Sequence, residues 1–410
     1  MTSELSVSST SQTTTCHILD TGSIWLKEFA FALSTLVPTH NWCPEIRSFG
    51  HWENWERIEQ IGDPCLTMTR FPLQRGYARF PIAHFLRFET AVADRLKHRL
   101  SNPDRSILIC TAPFYAGVAE LWPGPVVYYL TDLTKEYSGM NSAQIVELDR
   151  KMCRIAKTVC PNSTRIAEYL SQEAGGDPKK ITVIPNATRS QNVLEKPLIK
   201  ASPTPPDLSD LPRPIVGVMG NLASNMDWLF ITNAVERSKD VSWAFVGPMD
   251  EQIRDAVQDR ARRELLKKGG RIRFVGAKRY GELCRYARCF DVALMPYLKH
   301  EPTYSGSATR FYEHLAACRP ILSSRGFHEL LTKEPLLKLV DNGETVAVEL
   351  DRLRGVGFCD GFEELRWRAS RCGTWSVRAR DLLAAATGHP PNDEFETLGR
   401  GAGQAQFPQS

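Results

Sequence analysis

Short apolar runs, mostly β-branched, alternate with helix-like segments along this chain, and they do so in two separate series. The first contains SILICTA (106–112), PVVYYLTD (125–132), TVCPNS (158–163) and ITVIPN (181–186). The second contains PIVGVMG (214–220), VSWAFVGP (241–248), RIRFVGA (271–277), DVALMPY (291–297) and PILSS (320–324). This alternation predicts parallel sheets with helices on their faces, since parallel strands need long crossovers and bury both sides. Between the series, residues 196–214 hold six prolines and little apolar content, which reads as a linker. A chain of 410 residues also exceeds the size at which one hydrophobic core stops growing, so two α/β domains are expected.

The ends do not extend this pattern. Residues 1–15 are polar, with neither a basic start nor an apolar run, so they read as a disordered tail and not a signal peptide. Residues 387–410 are equally poor in core formers. No apolar run approaches the roughly 20 residues that span a bilayer, which leads to the expectation of a cytoplasmic protein with at most peripheral contact at the inner membrane face. The eleven cysteines form no Cys-x-x-Cys pair, which argues against a zinc ribbon or a disulfide framework. Cys284 and Cys289 share a helix-like segment and read as small buried apolar residues. A net charge of +4 is too small to imply nucleic acid, though it suits an anionic substrate. The basic stretch at 254–273 has interspersed acids at helical spacing and reads as a solvated helix face.

Within the first series, NSAQIVELDRKMCRIA places Ile145, Leu148, Met152 and Ile155 on one predicted helix stripe. The next helix is predicted to open at Ser163 or Thr164, both competent caps.

The segment richest in chemical information is Asp291 to Ser324. A buried strand ends at Pro296, a loop of small polar residues follows, and a helix is predicted to start between Ser307 and Thr309. A helix start offers unpaired N–H groups and a positive dipole end, both favourable to phosphate. Arg310 adds a permanent charge in a planar fork that fits phosphate oxygens. Glu313, three residues on, can accept two vicinal ribose hydroxyls, or it can simply pair with Arg310 on a solvated face.

This segment resembles the donor-site signature of group 1 GT-B glycosyltransferases of the bacterial polysaccharide type. Arg310, Tyr312, Glu313, Leu315, Ala316 and Pro320 follow that pattern in order. The resemblance implies a fold of two facing Rossmann-like domains with an interdomain cleft. It also implies that Thr309 and Arg310 contact a diphosphate and that Glu313 holds the ribose. Two departures stand out: Cys318 replaces a glycine, and Ser305 stands where the retaining branch often has its first Glu, so retention of configuration cannot be carried over.

Further segments fit the same resemblance. Gly220 and Asn221 directly follow the first strand of the second domain, where family backbone approaches the donor phosphates. Gly276 sits in the loop that lies against the nucleobase, and Lys278 or Arg279 either meets phosphate or belongs to a solvated pair of charges. Gly22 and Ser23 occupy an early loop that family members use near acceptor and phosphates. Residues 366–386 resemble the terminal helix that crosses back onto the first domain (16–195) from the second (214–365), with Trp375 as a packing residue. Trp42, Trp52 and Trp55 form an aromatic stretch that reads either as buried or membrane-facing packing or as a sugar platform.

For the chemical step the candidate is Asp132, which ends a strand and points to the expected cleft. A positioned carboxylate there can take the proton of an attacking hydroxyl, and the competing reading is a helix N-cap. No Asp-x-Asp, no phosphate-binding Gly-x-x-x-x-Gly-Lys-Ser/Thr loop and no Gly-x-Gly-x-x-Gly after a strand occurs, so no metal and no cofactor is expected. The function expected is sugar transfer from a UDP- or GDP-linked donor to a glycan or lipid-linked acceptor, in polysaccharide or cell-envelope synthesis. The alternative is a nucleotide-sugar 2-epimerase or a non-catalytic sugar-binding relative of the same fold.

Overall fold

A computed structural model describes residues 14–47, 57–61, 66–74, 88–100, 102–251 and 253–388. Trp52, Trp55 and most of the two terminal tails lie outside the described residues.

In chain order, the first domain runs β1 (Thr15–Leu19), α1 (Ile24–Ser34), β2 (Thr39–Arg47), β3 (Arg57–Ile61), β4 (Leu66–Gln74), α2 (Phe88–Lys97), β5 (Ser106–Cys110), α3 (Ala116–Leu121), β6 (Val126–Tyr128), α4 (Ser142–Ile155), β7 (Thr158–Val159) and α5 (Thr164–Gln172). Its sheet has the order β3-β4-β2-β1-β5-β6-β7, parallel except for the edge strand β3, which runs antiparallel to β4. The second domain runs β8 (Ile215–Met219), α6 (Trp228–Arg237), β9 (Ser242–Val246), α7 (Ala256–Leu266), β10 (Ile272–Gly276), α8 (Leu283–Cys289), β11 (Val292–Met295), α9 (Thr309–Ala317), β12 (Ile321–Ser323), β13 (Lys338–Leu339), α10 (Gly343–Gly355), α11 (Glu363–Cys372) and α12 (Trp375–Thr387). Its sheet is parallel in the order β10-β9-β8-β11-β12-β13. In both sheets the chain starts near the middle and winds outward twice, which creates a crevice where strand order reverses, between β1 and β5 and between β8 and β11.

The strands sit where the apolar runs predict, and all residues of β5, β8 and β9 are buried. One run differs. ITVIPN forms only an isolated bridge, Ile181 to Val159, because Pro185 lacks an N–H and the segment is leaving the sheet for the other domain. The stripe of α4 is also rotated from the prediction: Ile145, Asp149, Met152 and Cys153 face inward. Asp149 is tolerated there because the hydroxyls of Tyr128 and Tyr169 both donate to it. Ser163 caps α5 as expected, accepting from Ile166 N at 3.2 Å.

The proline-rich segment does not hang free between the domains. Leu208 and Leu211 are buried in the second domain's core with Tyr286 and Phe290, and Ser202 N donates to Arg288 O. The terminal helix is two helices, broken at Gly373 and Thr374, with Thr374 capping α12. α11 packs on α9, and α12 packs on α1. Trp375 belongs to the first domain's core together with Phe29 and Leu382, and Trp42 is likewise buried in that domain. α7 exposes one face to solvent and buries the other, on which Arg262 pairs with Asp259. Among the described residues no helix is long and apolar enough to cross a membrane.

Candidate active site

A cleft of about 530 Å³ lies between the domains, walled by loops that follow the carboxyl ends of strands. Ile24, Trp25, Asp132, Tyr137, Asn162 and Asn186 come from the first domain. Asn221, Asn225, Asp250, Tyr280, Tyr297 and the run Gly306 to Arg310 come from the second.

The start of α9 has the form that the sequence predicts. Ala308 supplies no side-chain cap, so among the described hydrogen bonds the N–H groups of Thr309 and Arg310 have no acceptor. The Arg310 guanidinium lines the cleft and gives Nη1 to Glu313, which leaves the remaining donors of its fork for an incoming anion. Glu313 is 3 % exposed and is not part of the cleft lining. The pair is therefore an intrahelical ion pair, but on a buried face and not a solvated one. Behind it, burial and the Arg310 charge lower the pKa of His314 to about 3, so this histidine adds no charge at neutral pH.

Gly220 is not among the cleft-lining residues, and its close approach is to protein side chains. At φ +143° its added Cβ would lie 3.2 Å from the Tyr297 hydroxyl and 3.5 Å from Arg310 Nε, so a side chain would crowd the guanidinium. Asn221, next to it, lines the cleft. Cys318 closes α9 at φ 60°, the left-handed position where a glycine is easier, which gives the substitution noted in the sequence a backbone cost.

Other candidates lie outside the lining. Gly276 turns the chain at φ +76° with nothing within 4 Å of an added Cβ. Lys278 pairs with Asp207 of the proline-rich segment at 2.8 Å, so its charge is already matched. In the first domain, Gly22 gives its N–H to Asp20, and Ser23 caps α1. The cleft is met instead by the next two residues, Ile24 and Trp25.

Asp132 lines the opposite wall. It caps no helix, because the short turn at Thr134–Glu136 is preceded by Leu133. Burial raises its pKa to about 6, and hydrogen bonds from Tyr137 and Thr131 pull the value back only in part. The Thr131 hydroxyl lies 3.4 Å from Oδ2. A carboxylate of this kind is ionised at neutral pH and still basic enough to take a proton.

Several site residues escape a reading by motif. Asn186 crosses the cleft, its Nδ2 donating to Ser307 O and Thr309 Oγ1, both at 2.9 Å, while its N–H donates to Ser307 Oγ at 3.0 Å. Ser163 Oγ reaches Ser305 O in the same seam. Glu329 accepts from Ala308 N at 2.9 Å and from the Tyr312 hydroxyl, bracing the start of α9. Glu301 holds both N and Oγ of Ser305, at 3.1 and 2.7 Å. The only sequence signal for Asn186 and Asn162 is a polar residue just past an apolar run.

No family model matches the chain. It is 22 % identical over 303 residues to the putative teichuronic acid biosynthesis glycosyltransferase TuaH of Bacillus subtilis (strain 168), covering 71 % of this chain and 74 % of that protein. Its fold is similar to that of a glycosyltransferase from Rickettsia africae ESF-5, at a TM-score of 0.65 and 13 % identity over 92 % of this chain and 98 % of the other. It is also similar to Anabaena HepE in complex with UDP and glucose, at a TM-score of 0.56 and 13 % identity, covering 96 % and 98 %.

Proposed function

We propose that this chain, whose fold is that of the GT-B glycosyltransferases, transfers a sugar from a nucleoside diphosphate sugar to a glycan or lipid-linked acceptor in cell-envelope polysaccharide synthesis. The observation that carries this reading is the pairing, across one cleft, of an open helix start bearing Arg310 with a partly protonatable carboxylate, Asp132. The likeness to TuaH supports the choice of polymer.

In this reading the diphosphate lies on the free N–H groups of Thr309 and Arg310 and on the open edge of the guanidinium, with Gly220 leaving the guanidinium uncrowded. Asn221 belongs to the wall toward the nucleoside. Glu313 orients Arg310 and can exchange that bond for a ribose hydroxyl. An acceptor oxygen attacks the anomeric carbon, the bond from that carbon to the diphosphate oxygen breaks, and Asp132 takes the hydroxyl proton. The nucleoside diphosphate departs with the bonding electrons, and its growing charge is met by Arg310 and the α9 dipole. Attack from the Asp132 side inverts the anomeric centre.

The test is titration of the protein with UDP- and GDP-linked sugars, followed by thermal shift and calorimetry. One donor should bind, and Arg310→Ala should weaken it. Absence of binding by every nucleoside diphosphate and its sugars at millimolar concentration sinks the proposal. Conversion of a donor to its 2-epimer with no acceptor present would replace transfer by epimerisation.

A further inference from the structure

Away from the start of α9, the cleft is lined by polar side chains whose open capacity is to accept. Asn162 and Asn186 both line it and are 1 % and 4 % exposed. The amide of Asn186 is spent on Ser307 O and Thr309 Oγ1, and Asn162 gives Nδ2 to Thr131 O. Among the described residues their Oδ1 atoms have no partner, and neither has Oδ1 of Asn225 on the second domain's wall. Buried acceptors in this state cost stability until a donor reaches them.

Asp250 adds an acceptor that carries charge. It follows β9 and lines the cleft, and its backbone is fixed there: Asp250 N donates to Leu222 O at 3.3 Å, and the buried Arg262 donates to Asp250 O at 3.1 Å. Arg262 gives its other bonds to Glu251 O and Asp259, so it does not neutralise the Asp250 carboxylate. Among the described residues that line the cleft Arg310 is the one cation, and it is paired with Glu313. Once a diphosphate has taken the open donors of Arg310, a further anion in the cleft meets the carboxylates of Asp250 and Asp132 with no lining cation to offset them. A hydroxyl meets the reverse, since it can donate to either carboxylate or to an asparagine oxygen.

We infer that the cleft selects a donor whose sugar is neutral and rich in hydroxyls and rejects one that carries a carboxylate, with Asp250 and Asn225 as the specificity-determining residues. The inference rests on the reading that Arg310 receives the diphosphate of a nucleotide sugar. The selection has an attractive part and a repulsive part. Acceptors gain from hydroxyl donors, and a sugar carboxylate has no proton to give and repels Asp250.

The experiment compares, by calorimetry on the full chain at about pH 7.5, a neutral-hexose donor with its uronate counterpart, whose sugar carboxyl is ionised there. The probes are UDP-glucose against UDP-glucuronate and GDP-mannose against GDP-mannuronate. For the nucleotide that binds, the hexose form should bind roughly tenfold tighter or more, as one like-charge contact in a partly wet cleft implies. Raising salt from about 0.05 to about 0.5 M should narrow that ratio, because the repulsion is screened while the diphosphate is common to both ligands. Asp250→Asn should narrow the ratio by about threefold or more, and Asn225→Asp, which adds a charge to the same wall, should widen it. Affinity for the uronate equal to or above that for the hexose in the parent, or a ratio that Asp250→Asn leaves unchanged, overturns the inference while leaving the proposed donor site standing. If Asp250→Asn does not fold, a ratio unmoved by Asn225→Asp overturns it. A parent protein that binds neither UDP, GDP nor any of these donors removes the donor reading and this inference with it.

Discussion

Glu313 and Asp132 are two buried or half-buried carboxylates on opposite sides of one cleft, and they are held in opposite ways. Glu313 sits one turn from Arg310 and accepts a hydrogen bond from that permanent cation, inside the helix that carries both. Among the described residues, Asp132 has the hydroxyls of Thr131 and Tyr137 for partners, and burial lifts its pKa to about 6. The lesson is that residue type alone does not assign a role. A carboxylate fixed to a guanidinium positions that guanidinium, whereas one held only by neutral hydroxyls near neutrality can exchange a proton. The first kind of setting shapes a binding wall, and the second suits a base.

The sharpest way to break this contrast is Asp132→Asn, which removes the base and leaves the volume. Sugar transfer should fall by roughly a hundred- to ten-thousandfold, the usual contribution of a general base, while donor affinity measured by calorimetry stays within about twofold. Equal loss of rate and affinity would move Asp132 to the binding wall. In the parent, the rate should rise with pH through about 6, as the carboxylate loses its proton, and a flat profile from pH 5 to 8 would remove it as the base.

Next in size is Arg310→Ala. Donor affinity should fall about ten- to a hundredfold, as expected for loss of a charge-assisted hydrogen bond. Stability should also drop, by about 3 kcal/mol, because Glu313 is left buried without its partner. Adding Glu313→Gln should recover part of the stability and none of the affinity, as read by denaturant unfolding and calorimetry. Recovery of both would mean that the pair acts only within the fold.

A smaller effect comes from linkage at Asp132. Its folded-state pKa lies above the ordinary value of 3.8, so the folded chain binds the proton more tightly than the unfolded one. The stability this group contributes is fully present below about pH 4 and is lost as pH rises through about 6. Asp149, also raised to about 6 by burial, acts in the same window. Asp132→Asn should therefore be more stable than the parent at pH 7, by about 1–2 kcal/mol once the carboxylate's partial exposure to the cleft is allowed for, and equal to it near pH 4. Urea unfolding at the two values decides it, and a variant that is less stable at pH 7 contradicts the buried, cation-free setting.

The smallest expected effect is that of Lys278→Ala. Its charge is matched by Asp207 near the surface, so donor affinity should stay within about twofold and stability within about 1 kcal/mol. A larger loss of affinity would add Lys278 to the cation side of the cleft.

How much of this was open to reading from the chain follows from the range of each interaction. The strands of the second domain, the cap at Ser163 and the start of α9 near Thr309 are local, set by residues within a few positions of one another, and they appear where the sequence placed them. The antiparallel edge β3, the inward face of Asp149 and the packing of Leu208 under α8 are set by partners distant in the chain, and composition did not show them. Site residues divide in the same way. Asn221 and Asp132 reach the cleft just past strand ends, and Thr309 and Arg310 at the start of α9, whereas Lys278, also just past a strand end, pairs instead with Asp207, in a segment that composition marked only as a linker.

By itself, then, the sequence determined two α/β domains with parallel sheets and a phosphate-suited helix start, because hydrophobic periodicity and helix ends are properties of neighbouring residues. The tertiary structure decided which charges are free. Whether Arg310, Glu313, Lys278 or Asp132 can act depends on burial and on partners supplied by other segments, such as Asn186 across the seam. Electrostatic environment is a property of three-dimensional neighbours, and no spacing along the chain encodes it.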